Sequence, residues 1–598
     1  MKWSQKRSIL KLRGGAKRLL GRLRFDHSIL FLLALLTGIL AGYGAIGFRL
    51  LINGWSLTLY GADGDHLISG LALMPWWQIM LIPVAGGFLV AGLLRFLMPE
   101  KRPLGVAEVI EAVALRDGRM PIRSALANAF SNATALGFGA SVGREGPVVH
   151  LAAALAAFIG DRLHLTPAIT RTLIGCGVAS GVAASFNAPI AGVLFALEVV
   201  VGHYALHAFA PIVLAGVAGT VVSRIHLGNT PAFTLPDLQI MSLWEFPAFG
   251  VLGIVSALVA ILFMFLIFKM TDARQALLSR PRKTLPEWSL PPLAGLCVGM
   301  VAIWLPEIIG VGYEGADLAL KGSYELTILL VLLGGKILLT ALCFAAGFGT
   351  GVFSPSLFIG AMLGGAFGLG LAQAFPGLVS DPGVYAVVGM GAFASAILGA
   401  PMSTMLIIFE MTGDYEVTLA VMVAAAISSM ITHFSYAPSF FLKQLLRRGL
   451  SLEAGKASYL LKSTGTKEVM RTEVISVKPQ ASIFEVRHVL MAQGGGKLMV
   501  TDDAGALLGI ISLSDLPDEA FDPELDHLVR AAEIVRANPA VVYAFDSLEQ
   551  SLGLLERTGE PILPVLSDPN DRILIGLLHH EDVLKAYTRA LLHSHGQG

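Results

Sequence analysis

The sequence predicts an all-α polytopic membrane domain built from two inverted repeats with broken helices, followed by a smaller α/β domain of two similar units. Three observations carry this. The chain is far more apolar than a soluble protein: 55% of its 598 residues are hydrophobic and 14% are charged, against about 25% charged in soluble chains, and its mean hydropathy is +0.70. The apolar part repeats a Gly/Pro pattern at matching spacings. After Leu450 the composition becomes that of a soluble domain, with strands alternating with helices.

Composition also narrows the function. Lys plus Arg and Asp plus Glu both number 43, so charge gives no reason to expect a nucleic-acid partner. Cys176, Cys297 and Cys343 lie in apolar segments without metal-like spacing and read as packing residues. There is no His-Glu-x-x-His, no Gly-x-Ser-x-Gly and no clustered membrane His or Asp, so no catalytic or metal-ligating residue is expected. The apolar stretch from Ile29 to Leu40 runs on without a small-residue cleavage site, so no cleavable leader is expected.

Taken in order, Met1 to Arg24 is basic and carries no acid, which places it in the cytoplasm by the positive-inside rule. Leu30–Leu51 is the first spanning candidate. Gly61 to Gly70 is acidic and should lie outside. Trp76–Leu97 returns, and Glu100-Lys101-Arg102 should be inside. From Ser124 to Val222 the apolar pieces are short, with interruptions expected at Gly137–Pro147, Gly175–Gly181 and Pro189. Broken helices of this kind gather backbone ends around an internal site. Phe246–Met270 is a long span, and Arg274, Arg280, Arg282 and Lys283 put the next loop inside. Pro291–Trp304, Tyr324–Phe344 and a Gly-rich cluster from Gly347 to Gly370 follow. Lys443, Arg447 and Arg448 return the chain to the inside. The expected divisions are a basic segment 1–27, a membrane domain 28–441 with repeats at about 28–223 and 246–436, a linker 442–465, and two modules at 466–520 and 530–590. A multi-pass protein of a bacterial plasma membrane, with both termini cytoplasmic, is the expectation.

The repeat rests on three spacings. Gly143-Arg144-Glu145-Gly146-Pro147 matches Gly351-Val352-Phe353-Ser354-Pro355. Asn187-Ala188-Pro189 matches Gly399-Ala400-Pro401. Each of these last prolines is followed nine residues on by Glu198 or Glu410 and preceded twelve residues back by Gly177 or Gly389. Glu145 is the outstanding residue. A carboxylate in the membrane is costly and therefore a functional-site hypothesis. Pro147 is expected at the first position of a helix whose free N–H groups face Glu145, which makes an anion site from backbone dipoles. A helix-end carboxylate at the membrane surface is the alternative. Arg144 reads as structural. Glu198 and Glu410 read as hydrogen-bonding near helix ends, His150 as a satisfied buried histidine, and Glu108 and Glu111 as capping or lining an inner helix face.

These residues resemble the CLC family of chloride channels and chloride/proton antiporters, followed by a pair of CBS modules, from about Ile29 to His593. The resemblance implies a homodimer with one pore per subunit, carrying chloride and, in the antiporters, protons across the bilayer. It makes Glu145 the external gate, whose carboxylate occupies an anion position and leaves when protonated. It places Gly143, Arg144, Gly146, Val352, Phe353, Leu104 and Phe441 around the anions, with Val352 and Phe353 acting through backbone N–H groups. No cofactor is required; adenine nucleotide is the candidate ligand of the CBS pair through Asp515 and Asp582, with a helix N-cap as the alternative for both.

Three positions depart from the family pattern. Pro103-Leu104-Gly105-Val106-Ala107-Glu108 has Leu104 where the family has serine. Phe441 stands where it has the central-site tyrosine, and a shift to Phe440 would not restore the hydroxyl. Val199 stands where antiporters carry the inner proton-transfer glutamate. The two missing hydroxyls weaken anion coordination, and the valine at 199 favours a voltage-gated chloride channel type over the chloride/proton antiporter, which is kept as the alternative. A fluoride-selective relative and a CBS-regulated divalent-cation transporter rank below both, since the first motif is intact and the membrane acids do not converge.

Overall fold

The structure, a computed structural model, describes residues 27–595 except 73, 203–205, 230–232, 234–238, 280–285, 451, 453–460, 462–463, 493–495, 517–520, 522–525, 527 and 570. The basic N-terminal segment and Arg280, Arg282 and Lys283 lie outside the described residues. The chain forms two compact units, dividing between Gly449 and Leu450. That is eight residues beyond the expected end of the membrane domain. The amphipathic helix Phe440–Arg447 buries Phe440, Phe441 and Leu445 and so belongs with the first unit.

The first unit is helical. Among the described residues, eight helices are long and apolar enough to cross a membrane. The expected break at Gly137–Pro147 is present: one helix ends at Gly137 and the next starts at Glu145. A break also falls before Pro189, where Asn187 takes a left-handed conformation after the helix Pro167–Phe186. The break expected at Gly175–Gly181 is absent, because that helix runs straight through. Its glycines are there for contact. A Cβ on Gly177 would lie 2.5 Å from the Ala152 carbonyl oxygen. The cluster at Gly347–Gly370 divides in the same way: the chain is irregular only up to Val352, and Phe353–Ala374 is continuous helix. Membrane helices have little hydrophobic drive to associate and rely on such close backbone approach.

The two halves correspond element by element. Glu145–Arg162 matches Phe353–Ala374, and Pro167–Phe186 matches Pro382–Leu398. The helix starting at Pro189 matches Pro401–Thr412, and Leu206–Leu227 matches Tyr415–Ser435. A Cβ on Gly389 would meet the Gly360 carbonyl oxygen at 2.5 Å, repeating the Gly177–Ala152 contact. Asn187 and Gly399, the paired helix ends, share left-handed φ values of 58° and 65°. The two repeats also cap each other. Glu198 accepts from the N–H groups of Met402 and Ser403 at 3.2 and 2.9 Å, and Glu410 from those of Ile190 and Ala191 at 3.0 and 2.8 Å. A contact made both ways between equivalent residues is the mark of a two-fold relation. It also assigns both glutamates to hydrogen bonds at helix N-termini.

The second unit holds two α/β modules of one design. In the first, β1 (Ser476–Val477) runs parallel to β2 (Lys497–Thr501), which pairs antiparallel with β3 (Leu507–Ser512) and through it with β4 (Arg536–Ala537). In the second, β5 (Val542–Tyr543), β6 (Ile562–Leu566) and β7 (Leu574–His579) repeat the order, with a register irregularity at the equivalent place. Leu498 and Val500 of β2 face the helix Ile483–Ala492, whereas Met499 packs with Leu507, Ile510 and Leu566 in a core shared by the two modules. A strand buried on both faces reads as an unbroken apolar run, which is why Lys497 is followed by three apolar residues.

One test separates contact glycines from permissive ones. A Cβ on Gly364 would lie 2.0 Å from the Tyr385 carbonyl oxygen, whereas one on Gly370 of the same helix meets nothing within 4 Å. Gly364→Ala is expected to lower the thermal midpoint in detergent by several degrees, an overpacking cost of about 1–3 kcal/mol. Gly370→Ala should leave it unchanged or raise it, since alanine is the better helix former. Fluorescence-detected size exclusion after heating reads both.

Candidate functional site

The site forms where the two Gly/Pro motifs touch. The Gly143 N–H donates to the Gly351 carbonyl oxygen at 2.8 Å. Gly351 has φ of +107°, and a Cβ there would lie 2.3 Å from the Gly143 oxygen. Only glycine meets both demands. Gly146 packs on the same residue, its Cβ position 3.3 Å from the Gly351 Cα.

Glu145 is thereby carried to the start of the helix Phe353–Ala374. The helix bearing Glu145 begins at that residue, so Pro147 is its third position and not its first. Any early position is open to proline because the first four N–H groups of a helix have no partner inside it. The carboxylate is 2% exposed. Its Oε2 accepts from the Ser354 N–H at 3.2 Å and from the Ser354 hydroxyl, and its Oε1 accepts from the Tyr313 hydroxyl at 2.9 Å. Thus the N–H that holds Glu145 comes from the partner motif and not from its own helix.

Arg144 faces away from this pocket. Its Nη1 donates to Asp65 Oδ1 at 2.7 Å, its Nε lies 3.7 Å from Glu145 Oε1, and its guanidinium stacks 4.6 Å from the Tyr313 ring centroid. Asp65 also accepts from Arg49 at 2.6 Å. Removing Asp65 would leave Arg144 buried without its partner, a loss of about 3–5 kcal/mol. Beneath Tyr313, Lys336 is fully buried and donates to the carbonyls of Ile308 and Gly310 at 2.9 and 2.8 Å, fixing the loop that presents the tyrosine. Asp65, Tyr313, Ser354 and Lys336 were not evident in the sequence. Lys336, a lone cation in an apolar run, was the one signal available.

On the other side of Glu145 is a cavity lined by Gly105, Gly146, Thr350, Val352, Phe353 and Phe441, among others. Leu104 is absent from that lining. Its N–H donates to Asn128 Oδ1 at 2.8 Å and its carbonyl accepts from Asn128 Nδ2 at 3.0 Å. Asn128 also accepts from Asn132, whose Oδ1 takes the Thr350 N–H at 2.9 Å. This buried amide chain ties the turn at 104 to the second motif, and the sequence reading missed it. Glu108 accepts from the Gly105 N–H and from Arg102 and Arg448 at 2.7, 2.6 and 2.5 Å, capping its helix as expected. Glu111 pairs with Arg116 at 2.5 Å.

Other expected residues stand apart. Val199 sits in the π-helical turn Ala196–Val201, outside the cavity lining. His150 is buried, but its Nδ1 has no partner among the described residues, so the expectation of a satisfied histidine is corrected at that atom. In the second unit neither aspartate is an N-cap. Asp515, third residue of a short turn, accepts from the Ser512 N–H and hydroxyl at 2.9 and 2.6 Å. Asp582, third residue of the helix His580–His595, accepts from Arg471 Nε and Nη2 at 2.6 and 3.0 Å. That hydrogen-bonded guanidinium holds the Asp582 carboxyl below the usual range.

The profile of the family described as voltage gated chloride channel matches residues 86–433, and that of the CBS domain matches 467–519 and 531–589. The chain belongs to the CLC family. A ClcB-like protein of Ralstonia nicotianae is 33% identical over 416 residues, 69% of this chain and 95% of the relative. The H(+)/Cl(-) exchange transporter ClcA of Vibrio cholerae is 32% identical over 405 residues, covering 67% and 85%. A solved eukaryotic CLC transporter superposes with a TM-score of 0.59 at 21% identity, covering 92% of this chain and 97% of that one, a likeness of fold. At the level of the CLC family the function is chloride transport by a multi-pass membrane protein with tandem CBS domains.

Tyr313→Phe removes the only side-chain donor to Glu145 Oε1 among the described residues and leaves the ring. Chloride efflux from proteoliposomes at neutral pH is expected to rise roughly tenfold, the weight of one hydrogen bond to a charged group.

Proposed function

We propose that this CLC protein exchanges chloride for protons, with Glu145 as the protonatable gate for which both ions contend. One observation carries the reading: the buried carboxylate takes the N–H and hydroxyl of Ser354 at the wall of the cavity that Val352 and Phe353 line. While ionised, Glu145 uses donors that an anion entering that cavity would need. Protonation removes its charge and weakens it as an acceptor. The side chain then leaves, chloride takes the vacated donors, and occupancy by proton and by chloride becomes linked.

The channel-type expectation came from Val199. Similarity to a protein named as an H(+)/Cl(-) exchange transporter supports exchange over it. With valine at 199, protons reach Glu145 by water through the cavity beside Phe353 and Phe441. In this reading the protein is a homodimer with one pore per subunit, in a bacterial plasma membrane with cytoplasmic termini. The CBS pair is its regulatory module, with adenine nucleotide as candidate ligand; Asp515 and Asp582 would have to exchange their present partners to contact one.

Reconstituted vesicles test this. Under an outward or inward chloride gradient with no initial proton gradient, protons are expected to move opposite to chloride and to build up a pH difference across the membrane. Chloride flux with no proton movement and a reversal potential blind to the pH gradient would establish the channel instead. Glu145→Gln is expected to conduct chloride at a rate independent of pH and to move no protons. Persistence of the wild-type pH dependence in that variant would remove Glu145 from the gate.

A further inference from the structure

Leu104 and Phe441 deprive the chloride path of the two hydroxyl donors that family resemblance leads one to expect. A polar replacement is present in the cavity wall. Thr350 directly precedes the second motif, and its N–H is fixed by Asn132 Oδ1 at 2.9 Å. The residue is 8% exposed, and its hydroxyl has no hydrogen-bond partner among the described residues. The hydroxyl is not one of the fully buried unpartnered atoms, so its donor is open to the cavity that the residue lines and available to an anion there. The Thr350 Oγ1 lies 3.5 Å from where a Cβ on Gly105 would be, so it faces the turn at 104–105 where the family's serine is expected.

Thr350 also marks a junction. It lines the cavity that holds Glu145 and Phe353, and it lines a second cavity bordered by Arg102, Arg274, Arg447 and Arg448. Only Phe344 and Gln444 share that double placement among the described residues. The four arginines are paired with Glu100, Glu108, Asp272 and Glu287, but those carboxylates are not among the cavity lining. A cavity walled by one sign of charge concentrates the opposite ion. The junction beyond it then offers neutral donors, which can hold an anion without trapping it. The Gln444 side chain makes no hydrogen bond among the described residues.

We propose that the Thr350 hydroxyl is the side-chain donor to chloride at this junction, substituting for the hydroxyls missing at Leu104 and Phe441, with the Gln444 carboxamide as a second neutral donor. The assignment rests on chloride transport and does not depend on whether protons are coupled to it. Its direction follows from the chemistry: two neutral donors beside arginines suit a small anion and repel no charge on its way.

The test is the chloride dependence of radiolabelled chloride uptake into proteoliposomes, together with nitrate-to-chloride permeability. Thr350→Val keeps the shape and removes the donor. Half-saturating chloride is expected to rise roughly tenfold, as for one hydrogen bond to a charged group, and the permeability ratio to shift toward nitrate, which is less strongly hydrated. Thr350→Ser keeps a hydroxyl and is expected to restore affinity. Thr350→Ala gives the same loss as valine and is read if the valine variant misfolds. Gln444→Leu is expected to raise half-saturation by a smaller factor. Unchanged affinity in the valine and alanine variants, or equal loss in valine and serine variants, overturns the assignment. Wild-type chloride uptake without proton movement would sink the exchange reading and leave this comparison intact. A wild-type protein that takes up no chloride overturns both.

Discussion

The structure depends on one contact: the Gly143 N–H against the Gly351 carbonyl, with no side chain on either residue. It brings two helix starts, at Glu145 and Phe353, nose to nose. Helix N-termini carry partial positive charge, so two facing each other repel unless something negative lies between. Glu145 supplies that charge from one repeat and Ser354 supplies the donors from the other. The carboxylate therefore stabilises this arrangement of the two helix starts.

The same logic of exchange between repeats recurs away from the site. Glu198 and Glu410 each leave their own repeat to cap a helix of the other. The matching glycines at 177 and 389 each seat a helix against the one that carries its motif. In a bilayer, where unsatisfied N–H groups find no water, these reciprocal caps permit helices to begin in the middle of the protein. The broken helices are thus a consequence of the two-fold relation, since each break is closed by the opposite half.

Much of this was legible in the chain. Hydropathy located the long spans, and Trp76–Leu97 matches the observed helix at both ends. Three spacings revealed the repeat, and a carboxylate between glycines revealed the site. Where the reading failed, glycine had two meanings. At Gly139 and Gly351 it supplies positive φ and ends regular structure, whereas at Gly177, Gly360 and Gly364 it admits a neighbouring backbone inside a continuous helix. A single sequence does not separate those uses. Proline misled less, by only two positions at 147, because the whole first turn tolerates it.

By itself, the sequence determined the membrane class, the internal repeat, the two α/β modules and the identity of Glu145, because hydropathy, period and spacing are local properties of a chain. Only the tertiary structure decided what surrounds that glutamate. Asp65 lies 79 residues from Arg144 and Tyr313 lies 168 from Glu145, and contacts over such separations leave no local pattern. It also decided that Leu104 turns away from the cavity while Thr350 lines it. The hydroxyl at 350 was visible in the sequence as an ordinary threonine. Its place in the wall of the cavity beside Glu145 is a property that exists only once the two repeats have closed on each other.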